Sequence, residues 1–140
     1  MQKEVKQKIV AAGVVICGSK ALILRRSQKE DAYPGKWELP SGKKEPLEQT
    51  KQAVIREIKE ETGLEVKIIR LISIFDYVIE KQNEVRDTVQ INFLVQAKKT
   101  AKVILSDEHR QFAWVTEKDL RKYDMTRETK NVISLAFQNE

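Results

Sequence analysis

Three glutamates lie close together in the segment REIKEETGL, which spans residues 56–64. Glu57 is followed by Glu60 and Glu61 at spacings of three and four residues, and such positions are neighbours on one face of an α-helix. Like charges at these positions repel by about 0.3 kcal/mol per pair, so something should offset the repulsion. Either solvent and the interleaved Lys59 offset it, or a divalent cation binds among the carboxylates. The segment alone leaves both alternatives open.

The residues around this acidic segment resemble the signature of the Nudix hydrolases in type and spacing. The matching positions are Gly42, Glu48, Arg56, Glu57, Glu60, Glu61, Gly63 and the apolar Leu64. The stretches AAGVVI, LILRRS, GKWELPSGKKE and EHRQFAWVTEKDL look like MutT-type members of the same family, so the resemblance covers most of the chain. Two positions depart from it, because Ser41 and Leu47 stand where many relatives have glycine. A loop conformation with positive φ would be strained at either residue.

The resemblance implies a Nudix α/β/α sandwich, an α/β fold with a mixed β-sheet and with the catalytic loop and helix on one side. It also implies a hydrolase that depends on Mg²⁺, for which Mn²⁺ is a possible substitute, and that cleaves the pyrophosphate linkage of a nucleoside diphosphate derivative. Mg²⁺ takes oxygen ligands and bridges phosphate oxygens, and two such ions could clamp a pyrophosphate. A cluster of carboxylates beside a phosphate site suits this chemistry.

The resemblance also implies roles for individual residues. The metal ligands by similarity are Glu57, Glu60, Glu61 and a main-chain carbonyl of Ser41 or Gly42. Arg56 is expected to hold these glutamates and the loop in place through Glu48 rather than touch substrate. In MutT-type relatives a glutamate six residues before the tryptophan of the last strand approaches the metals, and Glu108 stands six residues before Trp114 here. Glu108 could therefore ligate metal or accept the proton of the attacking water, or it could be an ordinary loop carboxylate. His109 is a weaker candidate for the base, because a metal-bound water beside carboxylates does not require an imidazole.

Three further residues are candidates for binding the substrate. Arg26 alternates in phase with Leu24 at the end of a predicted strand, and its guanidinium matches phosphate oxygens; a surface salt bridge is the alternative. Trp37 and Glu38, just before the signature, could stack on and hydrogen-bond a base. Trp37 could equally cap the edge of the sheet as a buried aromatic.

The most favoured activity is hydrolysis of a nucleoside triphosphate, either an ordinary or an oxidised one, to a nucleoside monophosphate and pyrophosphate. ADP-ribose or a dinucleoside polyphosphate is the alternative substrate. A nucleotide sensor without catalysis is a second alternative, disfavoured because every carboxylate of the signature is present. Binding or trimming of RNA ends ranks last, because aromatic residues are only 6% and are not clustered.

Length and composition suggest one domain that spans residues 1–140. The formal net charge of +5 is spread over mixed Lys and Glu positions, which allows an anionic small-molecule substrate without indicating nucleic acid. No apolar run approaches the roughly 18 residues of a membrane span, and the single Cys17 suits a reducing compartment. We expect a cytoplasmic protein with no membrane partner, and a homodimer is one of the oligomeric states left open.

Periodicity predicts the elements that must position these residues. Strands are expected at residues 8–17, 21–26, 66–79, 87–97 and 112–115, with a hairpin turn at residues 18–20. Residues 27–46 contain all three prolines and are expected to form a long loop. A helix is expected at residues 47–62, ended by Gly63, followed later by a helical turn at 116–123 and a helix near 127–138.

Overall fold

The structure is a computed structural model that describes residues 2–28, 34–98 and 100–138. The strands are β1 (Glu4–Cys17), β2 (Lys20–Arg26), β3 (Trp37–Glu38), β4 (Ser41–Lys43), β5 (Val66–Glu80), β6 (Glu84–Ala97) and β7 (His109–Val115). The helices are α1 (Thr50–Thr62), a 3₁₀ helix (Glu117–Lys122) and α2 (Arg127–Phe137). In the described ranges, no helix has the length and apolar character that crossing a lipid bilayer requires.

The strands form one mixed sheet in the order β3-β2-β1-β6-β5. β1 runs parallel to β6, whereas the β1–β2, β2–β3 and β5–β6 pairs are antiparallel. β4 pairs with β1 and β7 pairs with β2, so both contribute to this sheet away from its main path. The predicted mixed sheet is confirmed, and the parallel pair explains why α1 and β5 lie between β1 and β6 in sequence, since a parallel pair needs a long connection.

Two hydrophobic clusters lie on opposite faces of the sheet. Alternation along β1 turns Ala11 and Val15 toward the face covered by α1, and Ala12 and Val14 toward the face covered by α2. A Cβ added to Gly13 would lie 2.6 Å from Cδ1 of Ile58, so α1 packs very closely on β1. The result is the expected three-layer arrangement of helix, sheet and helix.

The first helix begins later than predicted. α1 starts at Thr50 rather than at residue 47, and Leu47 instead lies in a turn, fully exposed and with φ of 67°. Leu47 matched the apolar stripe by spacing alone, and the turn that precedes the helix overrides that spacing. Gly63 ends α1 as predicted, in the left-handed conformation with φ of 74°.

The segment predicted as one long loop contains two short strands, β3 and β4. β3 forms its backbone hydrogen bonds with β2, and β4 forms them with β1, both of which lie elsewhere in the sequence. The local prolines and glycines indicated a loop, so the sequence did not predict these two strands. Residues 29–33 of the same segment lie outside the described residues. β1, β6 and β7 also begin three or four residues earlier than predicted, because their first residues are polar and are held by pairing with neighbouring strands.

Candidate active site

The backbone of β4 lies directly against α1. β4 is held by its antiparallel pairing with β1, where Ser41 lies opposite Ala12 and Gly42 opposite Ala11. The Ser41 amide donates a hydrogen bond of 2.9 Å to Oε1 of Glu61. A Cβ added to Gly42 would overlap the carboxylate of Glu57. A side chain at position 42 would therefore displace the Glu57 carboxylate.

Arg56 forms the centre of a hydrogen-bonded network on α1. Its Nε and Nη2 donate to the two carboxylate oxygens of Glu48 at 2.7 and 2.9 Å, which is a bidentate pair. Its Nη1 donates to Glu57 at 2.8 Å and to both oxygens of Glu60 at 3.3 Å, and Nη2 also reaches the carbonyl of Lys43. The hydrogen bonds from Arg56 lower the pKa of Glu48 to about 2. The contact expected between Arg56 and Glu48 is present, and one guanidinium links the helix to the loop.

The three glutamates of α1 occupy different environments. Glu60 is exposed over 57% of its side chain, and Glu57 is largely covered and bonded to Arg56. Lys59 pairs with Glu65 at 3.2 Å, so Arg56 rather than Lys59 offsets the repulsion between Glu57 and Glu60. Glu61 is only 3% exposed, and no bond to Arg56 is present in the described part of the chain.

Glu61 is part of a second cluster, which also contains the last residue before β7 and the first residue of that strand. One carboxylate oxygen each from Glu61 and Glu108 and one ring nitrogen of His109 lie within 4.8 Å of one another. Burial, followed by the charges of Glu38 and Glu108, raises the pKa of Glu61 to about 10. A divalent cation would offset this cost, because it would neutralise carboxylates that already face one another. The donor set therefore fits a divalent metal, with Glu57 and Glu60 beside it on the same helix.

Glu38 connects the strand β2 to this cluster. Its Oε2 lies 2.8 Å from Nε2 of His109, and Nη1 of Arg26 donates to both of its carboxylate oxygens at 3.0 and 3.2 Å. His109 is buried, and its Nδ1 has no hydrogen-bond partner in the residues described. The predicted hydrogen bond from Glu38 to a nucleobase would therefore compete with the contacts of Glu38 to Arg26 and His109. The salt-bridge alternative considered for Arg26 is present.

Trp37 has a structural contact as well as a position at the cavity. Its ring meets Tyr123 edge to face, with centroids 5.0 Å apart, and its amide donates to the carbonyl of Asp124. It packs against the hydrophobic cluster under α2 and also lines the cavity described next. Both roles considered for Trp37 are therefore compatible with its position.

A cavity of about 380 Å³ lies beside these residues. The candidate residues on its wall are Arg26, Trp37, Glu38, Ser41, Gly42 and Glu108. Sequence reasoning missed the rest of the wall, above all Phe75, Tyr77 and Ile79 on β5 and Arg86 and Gln90 on β6. Alternation along β5 shows that its three residues share one face, but only the sheet order shows that this face meets the site.

A mixed sheet lies between two helical layers, and the carboxylates of Glu61 and Glu108 meet beside a cavity whose wall includes Glu108. The family model described as NUDIX domain matches residues 7–136, and the chain belongs to the Nudix family. The resemblance inferred from the sequence is thereby confirmed, and the protein is a Nudix hydrolase.

The individual relatives share less than a third of their residues with this chain. The nucleoside triphosphatase NudI of Salmonella paratyphi B is 28% identical over 122 residues, which cover 81% of this chain and 85% of that protein. Among solved structures, a MutT NUDIX hydrolase from Burkholderia pseudomallei superposes with a TM-score of 0.79 at 24% identity, covering 93% of this chain and 98% of its own. An Ap4A hydrolase from C. elegans superposes with a TM-score of 0.70 at 23% identity, covering 91% and 93%. The two structural likenesses establish the fold.

Proposed function

We propose that this chain hydrolyses a nucleoside triphosphate to a nucleoside monophosphate and pyrophosphate with the help of Mg²⁺. The observation that carries the proposal is the meeting of Glu61 and Glu108 beside a cavity whose wall includes Ser41 and Gly42. The volume of the cavity is in the range of small-molecule sites. The name of the relative NudI, a nucleoside triphosphatase, supports this substrate class over the alternatives.

The proposed metal ligands are carboxylates on two elements and a carbonyl in the loop. They are Glu57, Glu60 and Glu61 on α1, Glu108 before β7, and the carbonyl of Ser41 or Gly42. When bound there, Mg²⁺ supplies positive charge to phosphate oxygens and makes a bound water more acidic. Arg56 acts as a positioning residue, because its bonds to Glu48, Glu57 and Glu60 hold the ligands against the loop.

The remaining roles follow from the contacts around the cavity. Glu108 is exposed and accepts the proton of the attacking water as general base. His109 holds Glu38 by the 2.8 Å contact, and Glu38 in turn holds Arg26 at the cavity wall, where its guanidinium can meet phosphate oxygens. Trp37 and the aromatic residues of β5 border the volume available for a base.

A substrate panel tests the proposal. Nucleoside triphosphates, an oxidised deoxyguanosine triphosphate, ADP-ribose and diadenosine tetraphosphate should be compared by kcat/KM with Mg²⁺, with Mn²⁺ and with EDTA, and the products identified. We expect the highest kcat/KM for a triphosphate, pyrophosphate as the product, and no turnover in EDTA. Release of inorganic phosphate instead of pyrophosphate, or a higher kcat/KM for ADP-ribose or the dinucleotide, would contradict the proposed substrate. Turnover in EDTA would contradict the metal.

A further inference from the structure

The two outer edges of the sheet at the end formed by β1, β6 and β5 differ in character. Beyond the region covered by α1, the sheet consists of β1, β6 and β5, and residues 4–8 of β1 and residues 74–80 of β5 form its outer edges. In the described ranges no strand pairs with the outer side of either segment. We call residues 74–80 the β5 edge segment.

The β1 edge carries charges that discourage strand pairing, and the β5 edge segment carries fewer. Three of the five residues 4–8 are charged, namely Glu4, Lys6 and Lys8. Lysines on an edge strand are a common protection against pairing with another chain. Only Asp76 and Glu80 are charged among the seven residues of the β5 edge segment. This edge is therefore the one suited to accept another strand.

The β5 edge segment is also regular and apolar where it is exposed. Its pairing with β6 is continuous from Ile74 to Glu80, whereas both register shifts of β5 lie before residue 74. Ile74 and Val78 are 57% and 58% exposed on one face. Exposed apolar residues that recur on a long edge strand indicate a surface that is covered in the functional state.

We infer that the β5 edge segment pairs with the same segment of a second copy of this chain, antiparallel and about a two-fold axis at Tyr77. An antiparallel pair of identical strands is self-complementary and closes as a dimer. In this register Asp76 lies opposite Val78 of the second copy and Phe75 opposite Ile79, so like charges do not face each other. A parallel pair in register would place the two Asp76 side chains together.

The size of this interface is in the range of weak dimers. Seven residues span about 23 Å of strand, and pairing along this length with side chains on both faces buries on the order of 1,000 Å² in total, the lower end for specific interfaces. Phe75, Tyr77 and Ile79 line the cavity, so the strand of the second copy would extend that wall. We expect a dissociation constant in the micromolar range, about 1–100 µM.

Analytical ultracentrifugation of the full chain between 1 and 200 µM tests the inference. Wild type should approach twice the chain mass of 16.2 kDa. Val78→Asp places two Asp pairs across the interface and should weaken the dimer about tenfold or more. Val78→Lys places a lysine opposite Asp76 of the second copy and should leave the dimer as tight or tighter. Val5→Asp is the matched control, because Val5 is 63% exposed on the same face but lies on the β1 edge.

Several results would overturn the inference. These are a monomeric wild type at 200 µM, equal weakening by Val78→Asp and Val78→Lys, or equal weakening by Val5→Asp. Circular dichroism checks the folding of each variant. Hydrogen exchange of wild type gives a second measurement, since amides of residues 74–80 should become more protected as the concentration rises, and unchanged protection would contradict pairing. Neither measurement needs a substrate, so the dimer and the proposed activity can fail separately.

Discussion

Glu61 differs from the two glutamates beside it because no cationic side chain among the described residues bonds it. Arg56 bonds Glu57 and Glu60, whereas Glu61 receives one amide hydrogen bond and faces the carboxylates of Glu38 and Glu108. A buried carboxylate in these surroundings is stable in its protonated form or beside a metal. Arg56 therefore offsets the repulsion at Glu57 and Glu60. At Glu61, as we propose, a divalent cation offsets it.

Glu61→Gln should remove a dependence of stability on pH. The pKa of Glu61 is about 10 in the folded protein, above its ordinary value of 4.5, so the folded state binds this proton more firmly than the unfolded state. The resulting stabilisation is complete below pH 4.5 and is lost as pH rises toward 10. In EDTA at pH 8, Glu61→Gln should melt about 3–6 °C above wild type. Added Mg²⁺ should raise the Tm of wild type more than that of the variant.

Thermal melts between pH 5 and 9, with EDTA and with Mg²⁺, measure this effect. Glu60→Gln is the matched control, because Glu60 is exposed and paired with Arg56. Parallel curves of Tm against pH for wild type and Glu61→Gln in EDTA would show that Glu61 does not titrate as described.

Glu108→Gln tests the proposed general base. A carboxylate that accepts the proton of the attacking water must be ionised, so activity should fall at low pH in wild type. The variant should turn over about 10²-fold more slowly, with little change in substrate binding, and should lack this acidic limb. Single-turnover rates across pH at two Mg²⁺ concentrations make the measurement, with the exposed neighbour Asp107→Asn as control. Recovery by added Mg²⁺ would make Glu108 a metal ligand only, and an unchanged profile would remove it from the mechanism.

At the scale of elements, the site depends on how closely β4 approaches α1. Gly42→Ala should reduce kcat by about 10²-fold or more, because the added methyl group displaces the Glu57 carboxylate. Gly18→Ala is the contrasting variant: a Cβ at Gly18 meets nothing within 4 Å, but φ is 65° there. It should cost about 1 kcal/mol of stability and leave kcat unchanged. Steady-state kinetics and denaturant melts separate the two effects, and normal kcat in Gly42→Ala would contradict the first.

The turn before α1 is strained at Leu47. A left-handed conformation costs a residue with a side chain about 1–2 kcal/mol, and glycine removes this cost at an entropic penalty of about 0.5–1 kcal/mol. Because Leu47 is fully exposed, no packing is lost, and Leu47→Gly should raise the free energy of unfolding by about 0.5–1 kcal/mol. Leu47→Ala keeps the strain and should bring no gain. Urea titration measures the free energy of unfolding of both variants. An equal gain in the two would show that the gain does not come from relief of the left-handed backbone conformation.

At the scale of the whole molecule, the cavity joins residues of β2, β4, β5, β6 and α2. The three β5 residues on the cavity wall lie outside the Nudix signature, so we expect them to bind substrate rather than take part in the chemistry. Tyr77→Ala should raise KM by about 5- to 10-fold with kcat nearly unchanged, since it removes aromatic contact area. Ile69→Ala, exposed on the same strand and outside the cavity, is the control. A fall in kcat at constant KM would instead connect β5 to the chemistry.

The amino-acid sequence by itself determined the family, the acidic helix and its end at Gly63, and the pairing of Arg56 with Glu48. The helix and its end follow from local periodicity and a glycine stop. The family and the pairing of Arg56 with Glu48 follow instead from the resemblance of the signature residues to those of the Nudix hydrolases. The start of this helix was predicted wrongly, because Leu47 continues the apolar spacing of the helix but lies in the turn before it.

Only the tertiary structure decided which carboxylates are buried together. Glu61 meets Glu108 and His109, and Glu38 meets His109, through the pairing of β2 with β3 and β7 and through the packing of α1 on the sheet. The strands β3 and β4, hidden among prolines and glycines, exist because distant strands supply their hydrogen bonds. Strand order and register arise from contacts between residues tens of positions apart, and no pattern within one segment specifies its partner.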